Sequence, residues 1–307
     1  MKKSLSLIIS AGKGCFTCCK GCYQYFGKGN IKTKDITEFI SKYRNHFALD
    51  KVTLAGGDPL TRKDIIHLIN EISNMGLKIN LDTVGKNLVK DSKLTFHGSA
   101  LIKKIDINNL CDKVDMIGIP LDGCTTSQIN SFRTMITIEE ILEILNLLDS
   151  YNLNVCINTV VNKTNIKYLY EIFLKIKNYK NIKKWQLFQY SPIGELGYLN
   201  RELFKISSEE FNNSIEELIN KVDDSKIQIQ AKSNDLRKCA YILINSDGKV
   251  WYPNVDLDEI IFSKKDENPF NKVIGTIYDE DIFDKIDNEF ENIYKRRVKE
   301  QIWKFWL

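Results

Sequence analysis

Between residues 4 and 190 the sequence changes period again and again: a short apolar run, a segment with apolar residues at helical spacing, then another run. The runs at 4–10, 51–55, 78–83, 116–122, 154–161 and 184–190 read as strands. Segments 33–47, 62–74, 137–151 and 166–179 read as helices, and 99–114 contains one after a polar connection. In the first helix the stripe is Ile36, Phe39, Ile40 and Tyr43. Six such alternations predict an α/β fold on a parallel sheet, its strands apolar because helices cover both faces. A further helix is expected at 208–222, with Ser207 or Ser208 as N-cap. From about residue 227 the pattern turns to short strands, at 227–231, 240–245 and 250–252, with Ser246-Asp247-Gly248 as the turn between the last two. A final helix is expected from about Asp281 to the end.

A chain of 307 residues that is 43% hydrophobic can bury a sizeable core, as one large domain or one domain with a small appendage. The formal charge of +4 is small and its contributors are interspersed, so charge indicates no nucleic-acid partner. The opening MKKSLSLIIS is broken by a serine and followed by glycines and cysteines, which reads as a first strand and not as a signal peptide. No apolar stretch approaches the ~20 residues that span a bilayer. A soluble, cytoplasmic protein without a membrane partner is expected.

Of eight cysteines, Cys15, Cys18, Cys19 and Cys22 lie in one short loop after the first strand, while Cys111, Cys124, Cys156 and Cys239 are scattered. A disulfide framework belongs to small secreted chains; in a reducing compartment such a group binds metal or does catalysis. The spacing Cys15-x3-Cys19-x2-Cys22 offers three soft thiolates, which suits an iron–sulfur cluster. Three protein ligands on four irons leave one iron open to a small molecule. The glycines at 12, 14, 21, 27 and 29 suit a loop wrapped closely around an inorganic core. A structural zinc site would need a second knuckle, which is missing, and adjacent Cys18 and Cys19 are awkward co-ligands.

CFTCCKGC resembles the CxxxCxxC signature of the radical S-adenosylmethionine (SAM) superfamily, and Gly56-Gly57-Asp58-Pro59, at a strand end, resembles its GGEP motif with Asp for Glu. The resemblance covers roughly residues 4–200 and implies a partial (βα)6 barrel, with 201–307 as a small C-terminal α+β extension. It implies one [4Fe-4S] cluster on Cys15, Cys19 and Cys22, with Cys18 a non-ligand, and SAM held by Gly56, Gly57, Asp58 and Pro59. The Asp58 carboxylate would pair with the SAM ammonium. Thr83, Asn158, Gln189 and Tyr190 fall where the family places SAM-contacting or substrate-facing groups, as does Pro120-Leu121-Asp122-Gly123. The residue before the third cysteine is usually aromatic and near the adenine. Here it is Gly21, so Tyr23 is the expected substitute. The implied chemistry is one-electron cleavage of SAM to a 5′-deoxyadenosyl radical that takes hydrogen from a substrate, with an external flavodoxin- or ferredoxin-type donor.

The stretch 241–253 resembles the hairpin of members with auxiliary clusters, yet Asn254 stands where a cysteine commonly follows the proline, so one cluster of about four irons is expected. Segments 157–162 and 184–189, continued by Ser191-Pro192-Ile193-Gly194, are similar to viperin and molybdenum-cofactor-type members, which act on nucleotides. A ribosomally made peptide is the alternative substrate. Lys86, Arg133, Lys163, Glu195 and Arg201, near carboxyl ends of strands, are candidate substrate-side residues. Trp303, Phe305 and Trp306 are expected to dock on the protein's own core. A non-catalytic iron–sulfur carrier or a zinc-binding module is the reading from another class, and SAM binding separates them.

Overall fold

The computed structural model describes residues 5–24, 29, 31–222, 225–237, 241–253 and 271–290. Cys239, Asn254 and the terminal aromatic residues lie outside these. Ten strands form one sheet: β1 (Ser6–Gly12), β2 (Lys51–Gly56), β3 (Lys78–Asp82), β4 (Met116–Pro120), β5 (Val155–Val161), β6 (Ile182–Gln189), β7 (Gln228–Lys232), β8 (Tyr241–Ile244), β9 (Lys249–Pro253) and β10 (Asn271–Thr276). Their order is β7-β6-β5-β4-β3-β2-β1-β8-β9-β10. Pairing from β7 through β1 to β8 is parallel, and only β9 and β10 are antiparallel to their neighbours. The six expected strands are therefore sequential neighbours in a partial barrel that is not closed. The sheet runs on past residue 200: β7 adds to one edge of the core, and β8 to the other. Strand β10 had no counterpart in the sequence reading.

Helices α1 (Thr33–His46), α2 (Ile65–Asn74), α3 (Ile138–Ser150), α4 (Leu169–Ile176) and α5 (Ser208–Lys221) form where the apolar stripes lie, shorter by a few residues at several ends. Capping explains two starts. Thr137 accepts from Glu140 N while Glu140 reaches back to Thr137 N, and Ser207 and Glu210 do the same at α5. The segment 99–114 holds only one short helical turn, Asn108–Cys111. Residues 282–290 are helical as far as described.

The helices cover the outer face alone, not both. Leu7, Ile9, Val52, Leu54, Ile79, Leu81, Ile117, Ile119, Ile157 and Trp185 are buried in the core with Ile36, Ile40, Leu68, Ile72, Ile141 and Ile144 from helices. Alternate residues point the other way, because side chains along a strand alternate between faces. Ile8, Ala55, Asp82, Gly118, Asn158 and Phe188 line an internal cavity. Among the described residues no helix is long and apolar enough to cross a membrane.

Candidate functional site

The cavity, about 260 Å³, lies inside the curve of the sheet and reaches the loop that leaves β1. Cys15, Cys19 and Cys22 all line it and Cys18 does not. The cause is local. Cys18–Cys19 makes a two-residue antiparallel ladder with Arg133–Thr134, and strand alternation sends neighbouring side chains to opposite faces. Three further ties hold the loop. Cys15 N donates to Phe96 O at 3.0 Å, Lys20 N to Phe132 O at 2.9 Å, and Gly197 N to Cys22 O at 3.0 Å. Gly194, with φ of 75°, packs directly on the Tyr23 carbonyl, where any Cβ would overlap it.

Burial pushes all three cavity thiols upward, Cys15 to about 12, so they hold their protons until metal replaces them. Arg133 opposes this at Cys19 and Cys22, and its Nη1 donates to Cys19 Sγ at 3.0 Å and its Nε to Asp122 Oδ2 at 2.8 Å. Thr17 Oγ1 sits between Cys15 Sγ (3.4 Å) and Cys19 Sγ (3.7 Å). Among the described residues no three Cys, His, Asp or Glu side chains converge as a single metal ion requires. Three free thiols spread around one wall, beside a fixed guanidinium, fit the ligands of a cluster whose irons and sulfides occupy the space between them.

The Gly-Gly-Asp-Pro segment sits at the end of β2, strapped to the cysteine loop by Gly57 N to Gly12 O (2.9 Å) and Asp58 N to Gly14 O (2.7 Å). Gly56 has φ of 121°, and a Cβ there would lie 2.8 Å from Gly12 O. Gly56 and Gly57 line the cavity with their backbone. Asp58 and Pro59 do not. The Asp58 carboxylate is fully buried and accepts from Leu60 N (2.9 Å), Thr83 Oγ1 (2.8 and 2.9 Å) and Val84 N (2.7 Å). In this structure its oxygens brace β2 against β3. Desolvation raises its pKa to about 6 despite those donors.

Of the other expected residues, Gly21, Tyr23, Thr83, Asn158, Gln189 and Tyr190 reach the cavity. Thr83 is committed to Asp58, and Asn158 Nδ2 donates to Asp82 Oδ1 at 3.2 Å. Gln189 is satisfied at both ends, by Ile206 O (3.2 Å) and Asn234 N (2.9 Å). The absent aromatic at Gly21 has a spatial replacement. The rings of Phe132 and Tyr190 occupy the place a side chain at 21 would take, and with Phe204 they form an edge-on cluster. Phe132 was not singled out from the sequence; the glycine before Cys22 was the available signal.

Among the substrate-side candidates only Arg133 lines the cavity. Lys86 is paired with Glu140 at 3.0 Å, and Arg201 stacks on Tyr198 at 4.0 Å. Glu195 is exposed, and neither it nor Lys163 faces the cavity. Lys86, Glu195 and Arg201 each begin a short helical turn beyond the strand ends, and Lys163 lies just past the end of β5. Asp82 and Arg237, missed in the sequence, line the cavity instead.

The Radical SAM superfamily model matches residues 9–176, and the chain belongs to that superfamily. The superfamily's cofactors are a [4Fe-4S] cluster and SAM, and the thiols and glycine backbone just described fit both. The chain is 26% identical over 246 residues to an S-adenosylmethionine-dependent nucleotide dehydratase of Lacinutrix mariniflava, covering 75% of this chain and 47% of that one. A protein of the same description from Selenomonas ruminantium is 22% identical, covering 88% and 90%. The chain thus spans about half the length of the first relative and most of the second. Streptococcus suis SuiB, solved with S-adenosylmethionine, superposes with a TM-score of 0.66 at 14% identity over 84% of this chain and 63% of that one. SuiB bound to its precursor peptide SuiA gives 0.66 at 15%, over 92% and 66%.

Proposed function

We propose that the protein is a radical SAM enzyme acting on a nucleotide, with Cys15, Cys19 and Cys22 as cluster ligands. When bound, the cluster and SAM supply one-electron cleavage to methionine and a 5′-deoxyadenosyl radical that takes a hydrogen atom from substrate. The chain's own part is positioning. Arg133 offsets thiolate charge at Cys19, and Gly56 and Gly57 let this segment pack against the cysteine loop, where a Cβ would collide with the Gly12 and Gly14 carbonyls. Tyr23, Phe132 and Tyr190 supply an apolar wall for an adenine. Thr83, Asn158 and Gln189 fix the inner surface at which a substrate would lie. Residues 4–200 carry the cofactors in this reading, and 201–307 complete the substrate side through Arg237, Tyr241 and Leu243.

The observation that carries the nucleotide reading is the sequence likeness to nucleotide dehydratases, which in one case runs nearly end to end in both chains. Likeness to the peptide-binding SuiB is a likeness of fold and names no substrate. A flavodoxin- or ferredoxin-type donor would reduce the cluster, in the reducing cytoplasm that free thiols require. The test is anaerobic turnover with ATP, CTP, GTP and UTP in turn and with a peptide library. One nucleotide is expected to accelerate SAM cleavage and to acquire or lose mass. Acceleration by peptides alone would overturn the nucleotide assignment.

A further inference from the structure

Two cations stand on the side of β7 that faces the cavity, and among the described residues neither has a counter-ion. Strand β7 pairs with β6 so that Lys232 stands beside Phe188 and Gln230 beside Gln186, with the two amides bonded at 3.1 Å. Phe188 lines the cavity, so this register turns Lys232 toward the same side. The short helical turn Asn234–Arg237 then brings Arg237 back over the Phe188 ring, 5.6 Å from its centroid, and into the cavity wall. Arg237 Nη2 is held by Gln189 O and Asn234 Oδ1, each at 2.6 Å, and by Ser191 Oγ. Its Nε is buried with no acceptor.

Among the described residues no carboxylate forms an ion pair with either cation. The two acidic groups nearest the cavity are otherwise engaged, Asp82 with Asn158 and Asp122 with Arg133. Burial pushes the Lys232 ammonium down, and Lys184, Lys51 and Arg237 push the same way. Both side chains are half-buried, and cations partly withdrawn from water without a counter-ion carry a desolvation cost. Such an arrangement is stable when a ligand brings the missing negative charge, and a guanidinium held rigidly by its neighbours is preorganised for a phosphate.

We infer that Arg237 and Lys232 form the anchor for the phosphate chain of the substrate, at the wall β7 adds to the cavity. This rests on the nucleotide reading above. It places substrate selection on residues outside the matched region 9–176, in the part of the chain that carries no cysteine-motif chemistry.

The experiment is titration calorimetry of the anaerobically reconstituted protein with SAM present, using each of the four nucleoside triphosphates and inorganic tripolyphosphate as probes. Arg237→Gln and Lys232→Met are compared with wild type, with iron content and SAM affinity as controls. Each variant is expected to weaken triphosphate binding at least about tenfold while holding full iron and unchanged SAM affinity. The salt dependence of binding should also become shallower in both, a change that loss of packing would not produce. Lys232 donates no hydrogen bond in the described structure, so Lys232→Met decides the matter if Arg237→Gln fails to fold. Triphosphate binding unmoved by either variant would overturn the anchor and leave the nucleotide reading standing. Tripolyphosphate binding that is sensitive to both variants, with no nucleotide bound, would keep the anchor and end the nucleotide reading. Absence of binding by every probe would end both.

Discussion

At the residue scale, two buried carboxylates, one glycine and one cysteine make the sharpest claims. Asp58 satisfies three donors inside the protein, so Asp58→Ala leaves them unpaired. A loss of about 3 kcal/mol is expected, read by urea denaturation. Asp82 is likewise raised to about 6 by desolvation. A folded-state pKa above the unfolded value means that the folded protein binds its proton more tightly, so stability falls as pH rises from about 4 through 6. Asp82→Asn removes the ionisation and keeps the acceptor for Asn158. The variant should gain on wild type between pH 5 and pH 7.5; an equal difference at both values would contradict the assignment. Gly21→Leu should disrupt the loop, since Phe132 and Tyr190 fill the site, and iron content after reconstitution should drop severalfold. Cys18→Ala should retain all the iron, because its side chain faces away from the cavity.

At the element scale, the cysteine loop is held by its neighbours more than by itself. The two-residue ladder to Arg133–Thr134, the Phe96 bridge and the Gly194–Gly197 turn come from three different crossovers. Arg133→Met keeps the aliphatic bulk and removes both the Asp122 pair and the donor to Cys19. It is expected to lower cluster retention under mild chelation and, because the buried Asp122 carboxylate loses its cation, to cost about 3 kcal/mol of stability by urea denaturation. These ties explain what was readable in advance. Strands β1 to β6 were legible because their outward residues are apolar and regularly spaced, and the cysteine and glycine motifs because chemistry fixes their residue types. The inward face was legible only in part: Asn158 was singled out through the resemblance, while Asp82, Gln186 and Lys232 look like ordinary solvated positions until curvature brings them together. The donors that Asp58 accepts from were not legible either, because a motif specifies a carboxylate but not the direction in which the following turn points it.

At the scale of the whole molecule, the sheet is one structure from β7 to β10, and the residues after 200 complete its two edges. The core supplies the cofactor side of the cavity and the later strands supply much of the rest. A fragment ending near residue 200 would lack the walls given by Arg237, Tyr241 and Leu243. The central claim is that one loop holds a single cluster that opens SAM for hydrogen abstraction. The direct test is to reduce the reconstituted protein with dithionite in the presence of SAM and measure 5′-deoxyadenosine by mass spectrometry, beside a Cys15/Cys19/Cys22 triple alanine variant. About four irons per chain, with 5′-deoxyadenosine from the wild type alone, is the result expected. Zinc in place of iron, with neither binding nor cleavage of SAM, would contradict the account.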